Sequence, residues 1–174
     1  MNLESNRFVV FDIETTGLNP LRGHKIIEIG AVAINDRVIC EEFESLIDIK
    51  KSIPKTACKI HGTTTEMLSG QPETKEVLKA FREFIGRSIL VAHNADFDMG
   101  FLRWECSRTG LSLSNRCICT LELSKTLYPG LSNYKLGTVA RHALGMEMPE
   151  GRCHRALDDA RLTARIWLKM RETA

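Results

Sequence analysis

No two cysteines of the 174-residue sequence stand in a Cys-x-x-Cys spacing, although there are six: Cys40, Cys58, Cys106, Cys117, Cys119 and Cys153. Nothing else suggests secretion, so a disulfide framework is not expected and buried free thiols are the better reading. Cys117 and Cys119, two apart on one strand face, with Cys153-His154 elsewhere, keep zinc as an alternative, but that spacing fits no common template. Long apolar runs are also missing: Phe8–Phe11 and Ile89–Ala92 fall far short of the ~20 residues of a membrane span. The Met1–Arg7 start has no apolar core of a signal peptide. A soluble, cytoplasmic protein is expected. Aromatics make up only 6%, too few for the stacking platform of a non-specific single-strand binder. Net charge is a mere +2, which does not by itself call for nucleic acid. No repeat, low-complexity tract or Pro/Gly/Ser-rich linker divides the chain, so residues 1–174 are expected to form one domain, with its core at 7–170.

What is present is ordinary globular usage, 43% hydrophobic and 26% charged. A chain this size buries roughly 70% of its unfolded surface and needs no disulfide or metal staple. Charge is unevenly spread. Residues 1–102 hold 12 Lys/Arg against 15 Asp/Glu, and residues 103–174 hold 12 against 7. The basic half suits a phosphate backbone, and a solvated helical surface equally well.

Patterning predicts the elements. Arg7–Ile13 is a β-branched and aromatic run, and Lys25–Asn35 and Arg37–Ile47 read as a hairpin about a turn at Asn35-Asp36. Glu73–Gly86 carries apolar residues at helical spacing, Ser88–Ala92 is a short strand, and Asn94 is a candidate cap for a helix reaching Arg108. A strand at Arg116–Cys119 and helices at Leu121–Leu127, Tyr134–Leu144 and Arg155–Met170 follow. Strands first, then strands alternating with helices, predict an α/β fold with a mixed sheet.

Four acids stand where acids are costly. Asp12 and Glu14, two apart at the end of an apolar strand, leave the same face. Asp98 lies near the Phe97, Phe101 and Trp104 stripe, whereas Asp96 shares a polar face with Gly100, Arg103 and Ser107. Asp159 shares its face with Leu162, Thr163, Ile166 and Met170, whereas Asp158 has Arg161 one turn away. Carboxylates turned toward a core call for a cation. Oxygen donors suit Mg²⁺ or Mn²⁺, and four carboxylates can hold two such ions about 3.5–4 Å apart, the arrangement that serves phosphoryl displacement. His154, expected in a mobile loop after Pro149-Glu150-Gly151, is placed to act as general base.

FDIETTG (Phe11–Gly17), HNADFD (His93–Asp98) and HRALDDA (His154–Ala160) resemble, in that order, the three motifs of the DnaQ-like 3′–5′ exonucleases, the histidine-bearing branch of the DEDD superfamily. GHKIIEIGAV (Gly23–Val32), IHG (Ile60–Gly62) and TLYPGLSNYKLGTVARHALG (Thr126–Gly145) are similar to the intervening stretches, so the resemblance runs from Arg7 to Met170. It implies an RNase H-like fold, a mixed five-stranded sheet flanked by helices. It implies a metal-dependent 3′–5′ exonuclease releasing nucleoside 5′-monophosphates from DNA, with two Mg²⁺ or Mn²⁺ ions on Asp12, Glu14, Asp98 and Asp159, and His154 as base. Thr15, Gly17 and Leu18 match the segment along the terminal nucleotide, and His61, His93, Asn94 and Phe97 match the pocket lining. The implied partner is nucleic acid with a free 3′ end, single-stranded or frayed DNA ahead of RNA. A polymerase is a second candidate, although the chain ends at Ala174 with no polymerase-binding tail. Family members often carry Asp where Cys119 stands, a position outside the ligand set.

Three other functions compete: an exoribonuclease of the same superfamily, a non-catalytic nucleic-acid or polymerase-binding module, and a Cys-His nucleophile using Cys153 or Cys119. Lys135, Arg152 and Arg155 are candidate phosphate contacts. Trp104 and Trp167 read as core, His142 as structural and His24 as surface.

Overall fold

The computed structural model describes residues 7–146 and 154–173. Five strands, β1 (Phe8–Thr15), β2 (Ile26–Asn35), β3 (Val38–Leu46), β4 (Ile89–Ala92) and β5 (Cys117–Cys119), form one sheet in the order β3-β2-β1-β4-β5. β2 is antiparallel to β1 and β3, while β1, β4 and β5 are parallel, so the sheet is mixed as expected. The helices are α1 (Lys55–His61), α2 (Thr65–Leu68), α3 (Thr74–Ile85), α4 (Ala95–Arg108), α5 (Thr120–Leu127), α6 (Leu136–Leu144) and α7 (Ala156–Thr173). Among the described residues no helix is long and apolar enough to cross a membrane.

Alternation along β1 sets up everything else. Val9, Phe11 and Ile13 point into a core shared with Leu78 and Phe81 of α3 and Met99, Phe101 and Leu102 of α4. Phe8 and Val10 point the other way, onto Leu157, Ala160, Ala164 and Trp167 of α7. Continuing that period, Asp12 and Glu14 fall on the α7 face at the strand's last turns. Their cross-strand partners on β2 are Gly30 and Glu28, which therefore share this face. Gly30 is required here: a Cβ on it would lie 2.1 Å from the backbone nitrogen of Leu157 and 2.3 Å from the carbonyl carbon of Ala156. Its bare backbone lets the start of α7 settle against the sheet beside Asp12.

Three local expectations shift. The hairpin turns at Asp36-Arg37 rather than Asn35-Asp36, since Asn35 still pairs with Val38. Both turn residues take positive φ, 46° and 71°, as a two-residue hairpin matched to strand twist demands. Asn94 occupies the position before α4 but makes no side-chain cap bond, because its backbone is left-handed (φ 69°, ψ 48°), a conformation asparagine tolerates. The short helices α1 and α2 have no long apolar period to announce them. They are held by packing, with Ala57 and Leu68 against Ile27 and Ile53. Trp167 is core, edge-on to Phe8 at 5.4 Å, whereas Trp104 is only half-buried with the Arg108 guanidinium 5.9 Å over its ring.

Candidate active site

The C-terminal ends of β1 and β4 and the starts of α4 and α7 enclose a cleft of about 200 Å³. Asp12, Glu14, His93, Asn94, Phe97, Asp98, His154 and Asp159 line it, joined by Ile13, Ile60 and Leu136. All four acids and the histidine singled out from the sequence thus meet in one place. In each pair the member that helical periodicity turns inward is the buried one: Asp98 and Asp159 are both 3% exposed, while Asp96 and Asp158 lie in solvent.

The tightest grouping is Glu14, His154 and Asp159, each offering one donor atom within 4.8 Å of the others. His154 Nδ1 lies 2.9 Å from Asp159 Oδ2. A carboxylate only accepts, so Nδ1 carries the proton and Nε2 is the acceptor of the neutral ring. His154 is fixed at its backbone, where its N–H donates to Ile60 O at 3.0 Å, and its side chain stays half exposed at the cleft. Residues 147–153, which include Pro149-Glu150-Gly151, Arg152 and Cys153, lie outside the described residues. Asp98 comes from the opposite face of the sheet. Burial pushes its carboxyl well above the usual range, against hydrogen bonds from its own N–H and that of Ile13. Ile13 lies beyond Val10, the last β1 residue paired with β4. Buried, closely set oxygen donors fit a hard divalent cation.

The sequence-predicted binding residues divide. His93, Asn94 and Phe97 line the cleft. Thr15 ends β1, and Gly17 and Leu18 sit on the adjoining loop instead, where Thr15 Oγ1 donates to Gly17 O at 2.7 Å and Leu18 is 83% exposed. The loop is closed by reciprocal bonds, Thr16 N–H to Lys25 O and Lys25 N–H to Thr16 Oγ1, both 2.9 Å. Lys25 Nζ then anchors it on the buried carboxylate of Glu105 at 3.0 Å. The His24 imidazole lies on Gly17, filling the space a Cβ would need. His61 is buried behind the cleft, its Nδ1 accepting from Thr63 N–H at 3.0 Å, and its neighbour Ile60 faces the cavity in its place. His93 spends both ring nitrogens on the protein, Nε2 at 2.8 Å from Tyr134 O and Nδ1 at 2.9 Å from Thr120 Oγ1. A carbonyl accepts, so Nε2 is protonated, and the Thr120 hydroxyl also lies 3.3 Å from Ala92 O. Ile60 and Leu136 were not singled out from sequence; the only signal was an isoleucine beside the IHG histidine and a leucine at a helix start.

Burial holds the imidazoles of His61 and His93 below their ordinary 6.5. A base that is neutral when folded but protonated when unfolded costs stability as the solution acidifies. The contribution is intact above 6.5 and is lost as pH falls through that value toward the folded pKa. Thermal melts from pH 8 to 5 are therefore expected to show a falling Tm below about 6.5, with a shallower slope in His93→Asn. An unchanged slope in that variant counts against the assignment.

The Arg155 guanidinium turns to Glu28, its Nε donating to the two carboxylate oxygens at 3.0 and 3.1 Å. Lys135 is exposed just before α6, and His142 is exposed with Tyr128 edge-on at 4.8 Å. The described cysteines are all free, and no cysteine joins a metal-ligating group among the described residues. Burial pushes the Cys117 thiol up to about 12, leaving it inert.

The exonuclease family model matches residues 9–167. The chain belongs to that family. This exonuclease is 45% identical over 161 residues to the PolC-type DNA polymerase III of Clostridium perfringens, a match covering 92% of this chain and 11% of that protein. It is 42% identical over 172 residues to the PolC-type enzyme of Thermotoga petrophila, covering 98% and 12%. It thus spans about an eighth or less of the length of these curated relatives. Among solved structures, Exonuclease X in complex with 5′-overhanging duplex DNA superposes with a TM-score of 0.77 at 28% identity, covering 96% of the exonuclease and 92% of that chain. The nuclease domain of 3′hExo, a DEDDh family member bound to rAMP, superposes at 0.83 with 22% identity, covering 100% and 96%. The fold is therefore the RNase H-like one of the DEDDh exonucleases.

Proposed function

We propose that this exonuclease removes nucleotides from the 3′ end of DNA, releasing nucleoside 5′-monophosphates, and that residues 1–174 act as one such domain. The observation that carries the reading is the cleft itself, where Glu14, His154 and Asp159 close to within 4.8 Å and Asp12 and Asp98 complete the wall. DNA is preferred because the similar curated relatives are PolC-type DNA polymerases. Their link to replication also supports a cytoplasmic location and makes a polymerase a candidate partner.

Asp12, Glu14, Asp98 and Asp159 would hold two divalent cations, Mg²⁺ or Mn²⁺. When bound, these supply positive charge to the scissile phosphate and lower the pKa of the attacking water. His154, its Nδ1–H donated to Asp159, takes the water proton at Nε2. Asn94, Phe97, Ile60 and Leu136 form the walls for the terminal nucleotide. Thr15 and Gly17 shape the loop that presents Leu18, His93 adds to the walls, and His61 supports them from behind.

The test is a 5′-labelled strand, as DNA and as RNA, incubated with Mg²⁺, Mn²⁺ or chelator. A metal-dependent ladder shortening from the 3′ end, faster on DNA, is expected. Faster shortening of RNA would assign an exoribonuclease, and intact strands from folded protein would leave a binding module. In the same assay Asp158→Ala is expected to keep most of its activity, because Asp158 is exposed and its carboxylate pairs with Arg161 at 3.2 Å, away from the cleft lining. Asp159→Ala is expected to lose it. Equal losses would mean that the wrong face of α7 carries the site.

A further inference from the structure

We propose that Glu28 is a positioning residue for this site: its buried carboxylate clamps the first turn of α7 and so sets the His154–Asp159 pair against the end of β1. The proposal rests on the reading of the cleft as the hydrolytic centre.

Glu28 is fully buried on β2, directly across from Glu14 and on the same face. Two carboxylates so placed repel each other, and a buried one is costly without a partner. Arg155 supplies that partner, its Nε donating to both Glu28 oxygens at 3.0 and 3.1 Å, while the Ala156 N–H donates to Glu28 Oε1 at 3.3 Å. Arg155 Nη2 reaches on to Glu44 of β3 at 3.5 Å. Glu28 therefore grips two consecutive residues at the start of α7. Just before them, His154 is pinned through its N–H to Ile60 O at 3.0 Å. Just after them, the Asp159 N–H donates to Arg155 O at 3.0 Å, so the clamped turn carries Asp159 with it.

A buried ion pair is weak evidence of a stabilising role, since apolar replacements often fold as well or better. The rest of α7 also has its own attachments. Leu157, Ala160, Ala164 and Trp167 pack on the sheet, and Arg161 pairs with Glu42 at 2.6 Å. What Glu28 adds is the placement of the first turn, where a shift of about 1 Å can slow chemistry about 100-fold.

Glu28→Gln keeps the shape and an oxygen for the Ala156 N–H but loses the charged two-oxygen grip on Arg155. We expect kcat on a 5′-labelled DNA strand to fall about 10- to 100-fold with KM unchanged, and Mn²⁺ binding to the protein alone, followed by calorimetry, to weaken about tenfold. Arg161→Ala, which cuts the neighbouring tie between α7 and β3, should leave both readouts at wild-type values. A folded Glu28→Gln with wild-type kcat and Mn²⁺ affinity would overturn the proposal. The double variant Glu28→Leu/Arg155→Leu separates folding from placement: it should fold yet remain slow with weakened Mn²⁺ binding. Wild-type values there would make the pair merely structural, and failure of both variants to fold would make it a folding element; either result ends the proposal. A folded wild-type protein that neither cuts nor binds Mn²⁺ would instead overturn the reading of the cleft, and with it the role assigned to Glu28.

Discussion

Asp98→Asn is expected to cut metal-dependent cleavage about a thousandfold while raising the melting temperature of the metal-free protein. The two effects have one cause. Asp98 is 3% exposed, and burial drives its carboxyl well above the ordinary 3.8, so ionising it costs the fold free energy that a bound cation, in the reading proposed above, would offset. Asparagine removes the charge yet keeps an oxygen for the Ile13 N–H. Relief of roughly 1 kcal/mol corresponds to about 2–4 °C in a chain of this size. Loss of one cation-holding carboxylate forfeits several kcal/mol of transition-state stabilisation, and about 4 kcal/mol is a thousandfold.

The same variant has a signature in pH. A carboxyl whose folded pKa lies above its unfolded value binds more protons when folded, so stability falls as pH rises from about 3.8 through the raised value. The Tm gap between Asp98→Asn and the wild type, both in chelator, should therefore widen as pH rises through that range. Mg²⁺ should raise the Tm of the wild type and leave the variant nearly unmoved. A variant that melts lower in chelator, or that still gains from Mg²⁺, would mean that Asp98 serves the helix start rather than the cation.

Most of this site could be read from the chain because its logic is periodic. Asp12 and Glu14 continue the two-residue alternation of Phe8 and Val10, and helical spacing turns Asp98 and Asp159 inward while leaving Asp96 and Asp158 outside. The sheet followed from the same kind of pattern. What escaped depends on contacts between residues far apart in sequence. Arg155 read as a cation near a phosphate site, because its partner Glu28 lies 127 residues away. His93 lines the cleft as its sequence suggested, but its anchor was not legible, because the carbonyl it serves belongs to Tyr134 on another segment. Asn94 has the composition of a cap, but a left-handed backbone takes its side chain out of that role. Ile60 reaches the cleft only because α1, a helix of seven residues with no long period, packs where it does.

Gly30→Ala should produce the opposite combination, a protein both less stable and slower, though no charged group is touched. Gly30 lies across from Asp12, and its missing side chain is where the backbone of Ala156 and Leu157 passes. A Cβ 2.1–2.4 Å from three backbone atoms cannot be relieved by turning a side chain. Either β2 or the start of α7 must move. β2 is hydrogen-bonded on both edges, to β1 and β3, so the helix is the element that yields. Its far end is held by Trp167 on Phe8, which converts the clash into a tilt about that contact and carries Asp159 away from Glu14. Overpacking costs ~1–3 kcal/mol, and a backbone clash belongs at the upper end, roughly 6–12 °C in Tm. Displacement of the first turn by about 1 Å accounts for a further loss near 100-fold in kcat. The two losses should be separable by temperature: if activity of Gly30→Ala measured well below its Tm returns to the wild-type value, the variant is only unstable, and the close approach of α7 to β2 has no part in setting the site.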